Sequence, residues 1–368
     1  MNKSISGADL TGGPSFSRLN VQIWNTQRKL ILNDLYMNSL LKSLLQRFHK
    51  ACLLCTISPL IAADPVTFTE TQLTGIGTEP GIMRRDPSDV IKVDDLYYVW
   101  YTKGFVTQGY DATVWYATSK DGLDWTEQGQ ALAKGPKGTW ESASVFTPNI
   151  MVAEGKYWLY YTGTSVEFKK PFRPDSQIGL AYADSPNGPW IRHEQNPILP
   201  KNEDKTAFDS HLVDDACLVH REGEYWLYFK GRQLGKGPKD TKMGVAIAKT
   251  PMGPYVRSEH NPVIQGNHEV LLWPKGAGVE AAIGTTGPDE IINSILYSED
   301  GFNFSKTNAT IDGPWAGGAF RPDNFSDSGK AQRPTWGVAM GRAPRASKSV
   351  PINLPHIQRF EINWPAAQ

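Results

Sequence analysis

The sequence predicts an all-β fold, a five-bladed β-propeller, on three observations. Four stretches of the chain are versions of one another. Their spacing divides the chain into five units. Turn signals split each unit into short alternating strands. The first copy runs from Asp86-Pro87-Ser88-Asp89-Val90 into Leu96-Tyr97-Tyr98-Val99-Trp100-Tyr101-Thr102-Lys103-Gly104. The second runs from Thr147-Pro148-Asn149-Ile150-Met151 into Gly155-Lys156-Tyr157-Trp158-Leu159-Tyr160-Tyr161-Thr162-Gly163. The third runs from Asp215-Ala216-Cys217-Leu218-Val219 into Gly223-Glu224-Tyr225-Trp226-Leu227-Tyr228-Phe229-Lys230-Gly231. A degenerate fourth begins near Glu269-Val270-Leu271-Leu272-Trp273. Self-similar units that are all β and of this size stack as propeller blades.

Each copy has a second half. Thr113–Ser119, Ile178–Ser185, Met243–Ala248 and Ser294–Ser298 are apolar, strand-like runs, followed by D-G, N-G or P-x-G turns and then Trp125, Trp190, Tyr255 and Phe302. Alternating strands between such turns read as antiparallel hairpins. A blade therefore has four strands. The innermost carries the leading residue, the second the aromatic run, the third Gly-x-Ala, and the outer one starts at an aromatic residue. The leading residues Asp86 and Thr147 are 61 positions apart, and Thr147 and Asp215 are 68 apart. Roughly 305 residues after position 63, divided by five, give the same period. The fifth blade is expected from about Phe320 through Thr335–Met340 to Phe360, with Val66–Leu73 recruited beside the C-terminus to close the ring. No long amphipathic helix is legible after residue 64. Longer inserts, Ser165–Ser176, Pro200–Leu212 and Arg232–Lys242, are expected to line one face.

Residues 1–63 read differently from 64–368. Met37–Lys50 carries Lys42, Arg47, His49 and Lys50 without an acid, and a 13-residue apolar stretch, Ala51–Ala63, follows. A basic segment, a short apolar segment and small residues make a secretory leader pattern, too short for the ~20 residues of a membrane span. On this reading the start lies at Met37 and the mature chain is secreted or periplasmic. The competing reading is a helical N-terminal segment, since Val21–Leu45 has some helical periodicity. Cys52 and Cys55 fall in the leader, and no βαβ pattern supports a redox use of their spacing. Cys217 then stays alone in a strand and reads as a buried apolar residue.

Acidic and basic residues balance at 38 each, which argues against a nucleic-acid partner bound through the overall field. No membrane span is read in the mature chain. The 11% aromatic content suits β cores first and sugar-binding surfaces second.

The candidate chemistry lies at the leading positions, which converge on the propeller axis. Asp86 follows Arg84 and Arg85. A guanidinium beside it favours the ionised carboxylate, as a general base requires. Asp215 occupies the matching position of the third blade, Thr147 that of the second, and His268-Glu269 that of the fourth. Neighbours in a regular strand point to opposite faces. So one of His268 and Glu269 faces the cavity unless a bulge presents both, and Asp215 is chosen over Asp214 by register. Arg84 and Arg85 are otherwise solvated or paired with Asp89, with at most one facing the pocket. Two carboxylates and a third titratable group across one cavity are the minimum set for glycoside hydrolysis.

The motifs Arg85-Asp86-Pro87-Ser88-Asp89-Val90, Val213-Asp214-Asp215-Ala216-Cys217-Leu218 and His268-Glu269-Val270-Leu271 resemble those of glycoside hydrolase family 117 and, more distantly, family 43. The resemblance covers roughly residues 80–345. It implies a five-bladed propeller that releases 3,6-anhydro-L-galactose from the non-reducing end of agar oligosaccharides with inversion. It implies Asp86 as base and His268 as acid, with Asp215 and Glu269 orienting the sugar. Arg85, Thr147, Lys230, Arg232 and Trp273 are candidate sugar contacts. No cofactor is required on this reading. Some members hold a divalent cation near the site, but no dense ligand cluster places one here. Family members also build a dimer with an N-terminal helical segment, for which residues 64–80 are too short and too rich in Gly, Thr and Pro. The oligomeric state is left open. Three rivals stay open too: a family-43-like arabinofuranosidase or xylosidase with Glu269 as acid, a phosphorylase using Arg85, Lys230 and Arg232, and a non-catalytic carbohydrate-binding propeller.

Overall fold

The computed structural model describes residues 66–104, 111–167, 175–266, 271–284, 287–311, 316–325, 333–341 and 354–365. The proposed leader, its cysteine pair and the N-terminal helical alternative lie outside these residues, as do His268 and Glu269. The described chain folds into five antiparallel sheets that form the five blades of a propeller. Blade one contains β2 (Met83–Arg85), β3 (Ile91–Val93), β4 (Leu96–Gly104), β5 (Ala112–Ser119) and β6 (Trp125–Leu132). Blade two contains β7 (Ser144–Ala153), β8 (Lys156–Thr164), β9 (Gln177–Ala183) and β10 (Ile191–Arg192). Blade three contains β11 (Leu212–Arg221), β12 (Glu224–Arg232), β13 (Lys242–Ala248) and β14 (Val256–Arg257). Blade four contains β15 (Leu271–Lys275), β16 (Gly278–Ile283), β17 (Ser294–Ser298) and β18 (Ser305–Thr310). Blade five joins β19 (Gly317–Ala319), β20 (Trp336–Gly341) and β21 (His356–Asn363) to β1 (Thr67–Gln72). Among the described residues the sole helical element is a single 3₁₀ turn, Pro238–Asp240, and none is long and apolar enough to cross a membrane.

The strand order inside blades two to four is the expected one, and local chemistry sets it. β7 and β8 are joined by Glu154-Gly155 and β11 and β12 by Glu222-Gly223. Both central residues have positive φ (55° and 70°; 55° and 74°). That is the two-residue turn whose twist matches paired strands, with glycine where a side chain would be strained. The ring closes as expected: β1 pairs with β21 from Thr67↔Asn363 to Gln72↔Gln358. Blade five begins earlier than the sequence suggested. Its inner strand is Gly317–Ala319, not a segment opening at Phe320.

The apolar faces of neighbouring blades pack against each other. One cluster, with Trp100, Leu159, Leu180, Leu218 and Phe229 at its centre, joins blades one to three. Others fill the joints between three and four, four and five, and five and one. Cys217 belongs to the second of these, 2% exposed, where burial pushes its thiol up to about 12. At such positions truncating a leucine to alanine costs about 2–5 kcal/mol.

Polar stitches hold the inner strands in a ring. Asn149 Oδ1 accepts the Asp89 N–H at 3.1 Å, and its Nδ2 donates to the Ala216 carbonyl at 2.9 Å, tying blades one, two and three. Asp89 closes the ring toward blade five by accepting the Ala319 N–H at 2.8 Å, with Arg321 Nη1 at 3.3 Å. Burial pushes the Asp89 carboxyl up to about 6 against the opposing pull of Arg321. Arg84 and Arg85 part ways, one of them beside Asp86. Arg84 binds Glu79 (2.6 Å) and Glu127 (3.1 Å), and Arg85 binds Asp86. Arg84 pairs with Lys103 across the β2–β4 ladder and so faces the Glu127 side of the sheet, away from Asp89.

Candidate active site

The inner strands share one backbone device. Asp86, Thr147, Asp215 and Ala316 have φ of 49°, 42°, 53° and 43°, in blades one, two, three and five. None is glycine, and a left-handed conformation costs such a residue about 1–2 kcal/mol. In blades two and three the ladder shifts register at this point, between Phe146 and Asn149 and between Asp214 and Cys217. In blade one the break separates β2 from β3, which both pair with β4. A bulge of this kind bends the strand and re-aims the side chain. Strain held at equivalent positions of four blades is a mark of use rather than of accident.

The four kinked residues line a single hollow, together with Pro87, Pro148, Asn149, Ala216 and Gly317. Its volume is about 40 Å³. That accommodates water at the floor, since one water needs ~10–15 Å³ measured this way. A larger hollow of about 590 Å³ lies on the outer part of blade three, and neither Asp86 nor Asp215 lines it. The site is assigned to the small hollow, where the carboxylates converge.

Each leading side chain meets a partner from its own blade. Arg85 Nε reaches both Asp86 oxygens, at 3.0 and 2.9 Å, and Asp86 is 5% exposed. Thr147 Oγ1 lies 2.5 Å from Thr162 Oγ1, and the Thr147 N–H donates to Thr102 Oγ1 at 2.8 Å. Lys230 Nζ bonds Asp215 Oδ2 and lies 3.4 Å from Asp214 Oδ1. Lys230 and Asp214 are both buried. Strand alternation let only one of Asp214 and Asp215 face the cavity, and of the two it is Asp215 that lines the hollow. Both nonetheless meet Lys230, the strand being kinked at Asp215. An ammonium or guanidinium beside a carboxylate favours its ionised form, against the opposing effect of burial.

The remaining sequence-derived candidates divide. Thr147 lines the hollow; Arg85 and Lys230 sit behind Asp86 and Asp215 as charge partners. Arg232 is 1% exposed and gives Nε and Nη2 to Thr241 Oγ1, at 3.1 and 2.7 Å. Trp273 does not line the hollow. It is 1% exposed in the core between blades four and five, and its indole N–H donates to Glu280 at 2.9 Å. Glu280 is fully buried and also binds Arg333 and Lys275. Burial would raise its carboxyl, but Arg333, Lys275 and Trp273 outweigh that and hold it below the usual range. Trp273 is thus spent on a structural carboxylate. Sequence reading missed Ala316 and the partner positions Thr102 and Thr162. Thr162 and Lys230 each stand 15 residues after their leading residue, an offset the repeat alignment contains. Among the described residues no group of three or more His, Cys, Asp or Glu side chains converges as metal ligands, so no site for a divalent cation is assigned.

Known proteins share the fold. Residues 81–237 match the model of glycosyl hydrolases family 43. Zg3597, a family 117 glycoside hydrolase of the marine bacterium Zobellia galactanivorans, is 30% identical over 82% of this chain and 92% of its own, with a TM-score of 0.72. The chain belongs to glycoside hydrolase family 117. Membership makes it a glycosidase acting on an oligosaccharide. Xylosidase/arabinosidase 43A of Humicola insolens is 30% identical over 126 residues, a match that spans 33% of each chain. An α-L-arabinofuranosidase of Lactobacillus brevis is 13% identical over 80% of this chain and 95% of its own, TM-score 0.54, a likeness of fold. The family 43 match, residues 81–237, contains Asp86, Thr147, Asp215 and Lys230.

Proposed function

We propose that this family 117 enzyme is exo-acting and inverting, and that it releases 3,6-anhydro-L-galactose from the non-reducing end of agar oligosaccharides. The observation that carries the chemistry is two carboxylates on one hollow, Asp86 buried and Asp215 largely so, each presented by a strained kink and each backed by its own cation. Asp86, ionised beside Arg85, takes the proton from a water lodged at the floor. That water attacks the anomeric carbon on the face opposite the leaving oxygen. Asp215, paired with Lys230, is given the supporting role rather than that of proton donor. It binds a sugar hydroxyl and offsets the positive charge that gathers on the ring in an oxocarbenium-like transition state. The leaving oxygen receives its proton from His268, the role that the family resemblance gives it, with Glu269 beside it in sequence. Both lie outside the described residues.

The agar assignment rests on the family and on the marine source of Zg3597. The basic and apolar run 37–63 supports export to the periplasm or beyond. The phosphorylase alternative loses its footing: the cations it would draw on are engaged, Arg85 by Asp86, Lys230 by two aspartates and Arg232 by Thr241. The family 43 match favours one second reading, in which Glu269 is the acid.

The test is product analysis on agar oligosaccharides by NMR. The expected result is release of 3,6-anhydro-L-galactose with its anomeric configuration inverted. Retention, or cleavage confined to arabinosides and xylosides, overturns the proposal. His268→Gln and Glu269→Gln separate the two readings. The variant lacking the true acid recovers on substrates whose leaving group needs no proton.

A further inference from the structure

The hollow of about 590 Å³ is lined by neither leading carboxylate, yet it opens at the same end of the strands. β11 and β12 are joined by Glu222-Gly223 at one end, and Asp215 and Lys230 stand toward the other. The segment before β11 and the segment after β12, two of the inserts, therefore leave the blade at the catalytic end. β14 is antiparallel to β13, so the chain following Arg257 returns to that end as well. These three segments supply the walls.

A short chain of contacts leads from one hollow to the other. Lys230 holds Asp215. Two residues along β12, about 7 Å, Arg232 binds Thr241, which lies between the wall residues Asp240 and Lys242. The floor is built rather than incidental. Asp209 is 1% exposed and takes Arg257 Nε at 2.6 Å, while another nitrogen of Arg257 donates to the Pro200 carbonyl. The second oxygen of Asp209 has no hydrogen-bond partner among the described residues. Above this floor stand Gln233, Lys236 and Lys242, with the ring of Phe208 on one wall.

We infer that this hollow is an accessory sugar-binding site, which takes a further, neutral segment of the oligosaccharide whose end is cleaved at Asp86 and Asp215. The inference rests on the hydrolase reading above. The walls mix donors, from Gln233, Lys236 and Lys242, with acceptors, from Gln233 and Asp240, as sugar hydroxyls require. The lining sets Lys236, Lys242 and Arg257 against Asp209 and Asp240, and its one guanidinium is committed to Asp209 and the Pro200 carbonyl, a mixed field that suits neutral hydroxyls better than a phosphate or sulfate. The volume falls in the range of small-molecule sites, ~300–1,000 Å³.

The experiment is equilibrium binding of an agar-derived disaccharide and an agar-derived hexasaccharide by calorimetry. The full chain is used as the Asp86→Asn variant, with hydrolysis of both sugars followed in the unmodified enzyme. Adding Gln233→Ala and Lys242→Ala is expected to raise Kd for the hexasaccharide at least fivefold and to leave Kd for the disaccharide within twofold. Lys236→Trp, an exposed position whose substitution the fold tolerates, narrows the mouth and is expected to reproduce the effect. If the unmodified enzyme cleaves the disaccharide and neither change alters the hexasaccharide, or both sugars weaken equally, the inference falls while the hydrolase reading stands. If it cleaves neither sugar, the agar reading falls and takes this one with it.

Discussion

Blades two and three are near-copies that differ where the chemistry is. Both open with an aromatic–acid pair, Trp140-Glu141 and Phe208-Asp209. Each acid binds the outer-strand arginine of its blade, Arg192 at 2.9 Å and Arg257 at 2.6 Å. The two aromatic rings stack on Tyr161 and Phe229, and each lies closer to Gly163 or Gly231 than any Cβ could stand. Asn196 and Asn261 bond both backbone groups of Leu180 and Val245. Both inner strands kink at the leading residue. On this common frame blade two carries Thr147 against Thr162 and blade three carries Asp215 against Lys230. The kink and its cost are present with or without a charge. The same scaffold presents a leading side chain to the hollow in both blades, and the charge it carries is what differs between them.

The comparison breaks most sharply in a triple exchange. Asp215→Thr with Lys230→Thr, and Asp214→Asn so that no buried carboxylate loses its cation, gives blade three the neutral leading pair of blade two. The fold is expected to persist by circular dichroism, while kcat/KM on agar oligosaccharides falls about 10²–10⁴-fold, the range for loss of a catalytic proton-handling or charge-stabilising group. Retention of a tenth of the activity would remove Asp215 from the mechanism. Lys230→Met alone strands two buried carboxylates and is expected to cost about 3–5 kcal/mol in urea unfolding. Thr162→Val in blade two loses one neutral hydrogen bond, about 1 kcal/mol. Equal losses would mean that the Lys230 charge does not matter.

The stitches between blades give a third, smaller contrast: neutral Asn149 against charged Asp89. The Asp89 carboxyl is raised to about 6 in the fold, from ~3.9 in an unfolded chain. The native state then holds a proton that the unfolded state has released, so this group's contribution declines as pH rises from about 4 to about 6. Two units correspond to roughly 3 kcal/mol. Asp89→Asn keeps an acceptor for the Ala319 N–H and is expected to flatten stability over that window. An unchanged slope would show that Arg321 keeps Asp89 ionised throughout. Glu280 has the opposite sign. Its carboxyl is lowered, so its contribution is present above the unfolded value of ~4.3 and disappears as pH falls through the folded one. The smallest effect is expected at Ala316→Gly, where relief of the left-handed strain exceeds the entropy cost of glycine by about 0.5–1 kcal/mol. A lowered melting temperature would count against strain there.

The repeat made the blades, the closure by residues 66–73 and the convergence of Asp86, Thr147 and Asp215 legible. The kinks were not. Asp, Thr, Asp and Ala share no local signal for a positive φ, and nothing in the sequence shows that Asp214 and Asp215 both meet Lys230. The same silence hid Ala316 and set the start of blade five too late. Trp273 read as a sugar platform because an aromatic residue near an acidic motif looks the same in sequence, whether it meets a ligand or a buried Glu280. Arg84 was aimed at Asp89 by proximity along the chain, and its partner Glu127 came from three strands away.

The clasp of β1 on β21 carries a consequence for biosynthesis. The Asn363 side chain donates to Thr69 across 294 positions of sequence, at 3.2 Å. At ~5–20 residues per second on the ribosome, the N-terminal edge waits some fifteen seconds to a minute for the only strand that can cover it. Through that interval it is an open template for any other nascent strand. Ring closure is therefore the last act of assembly, and a chain stopped a few residues short of Asn363 would leave the ribosome with four finished blades and an adhesive edge.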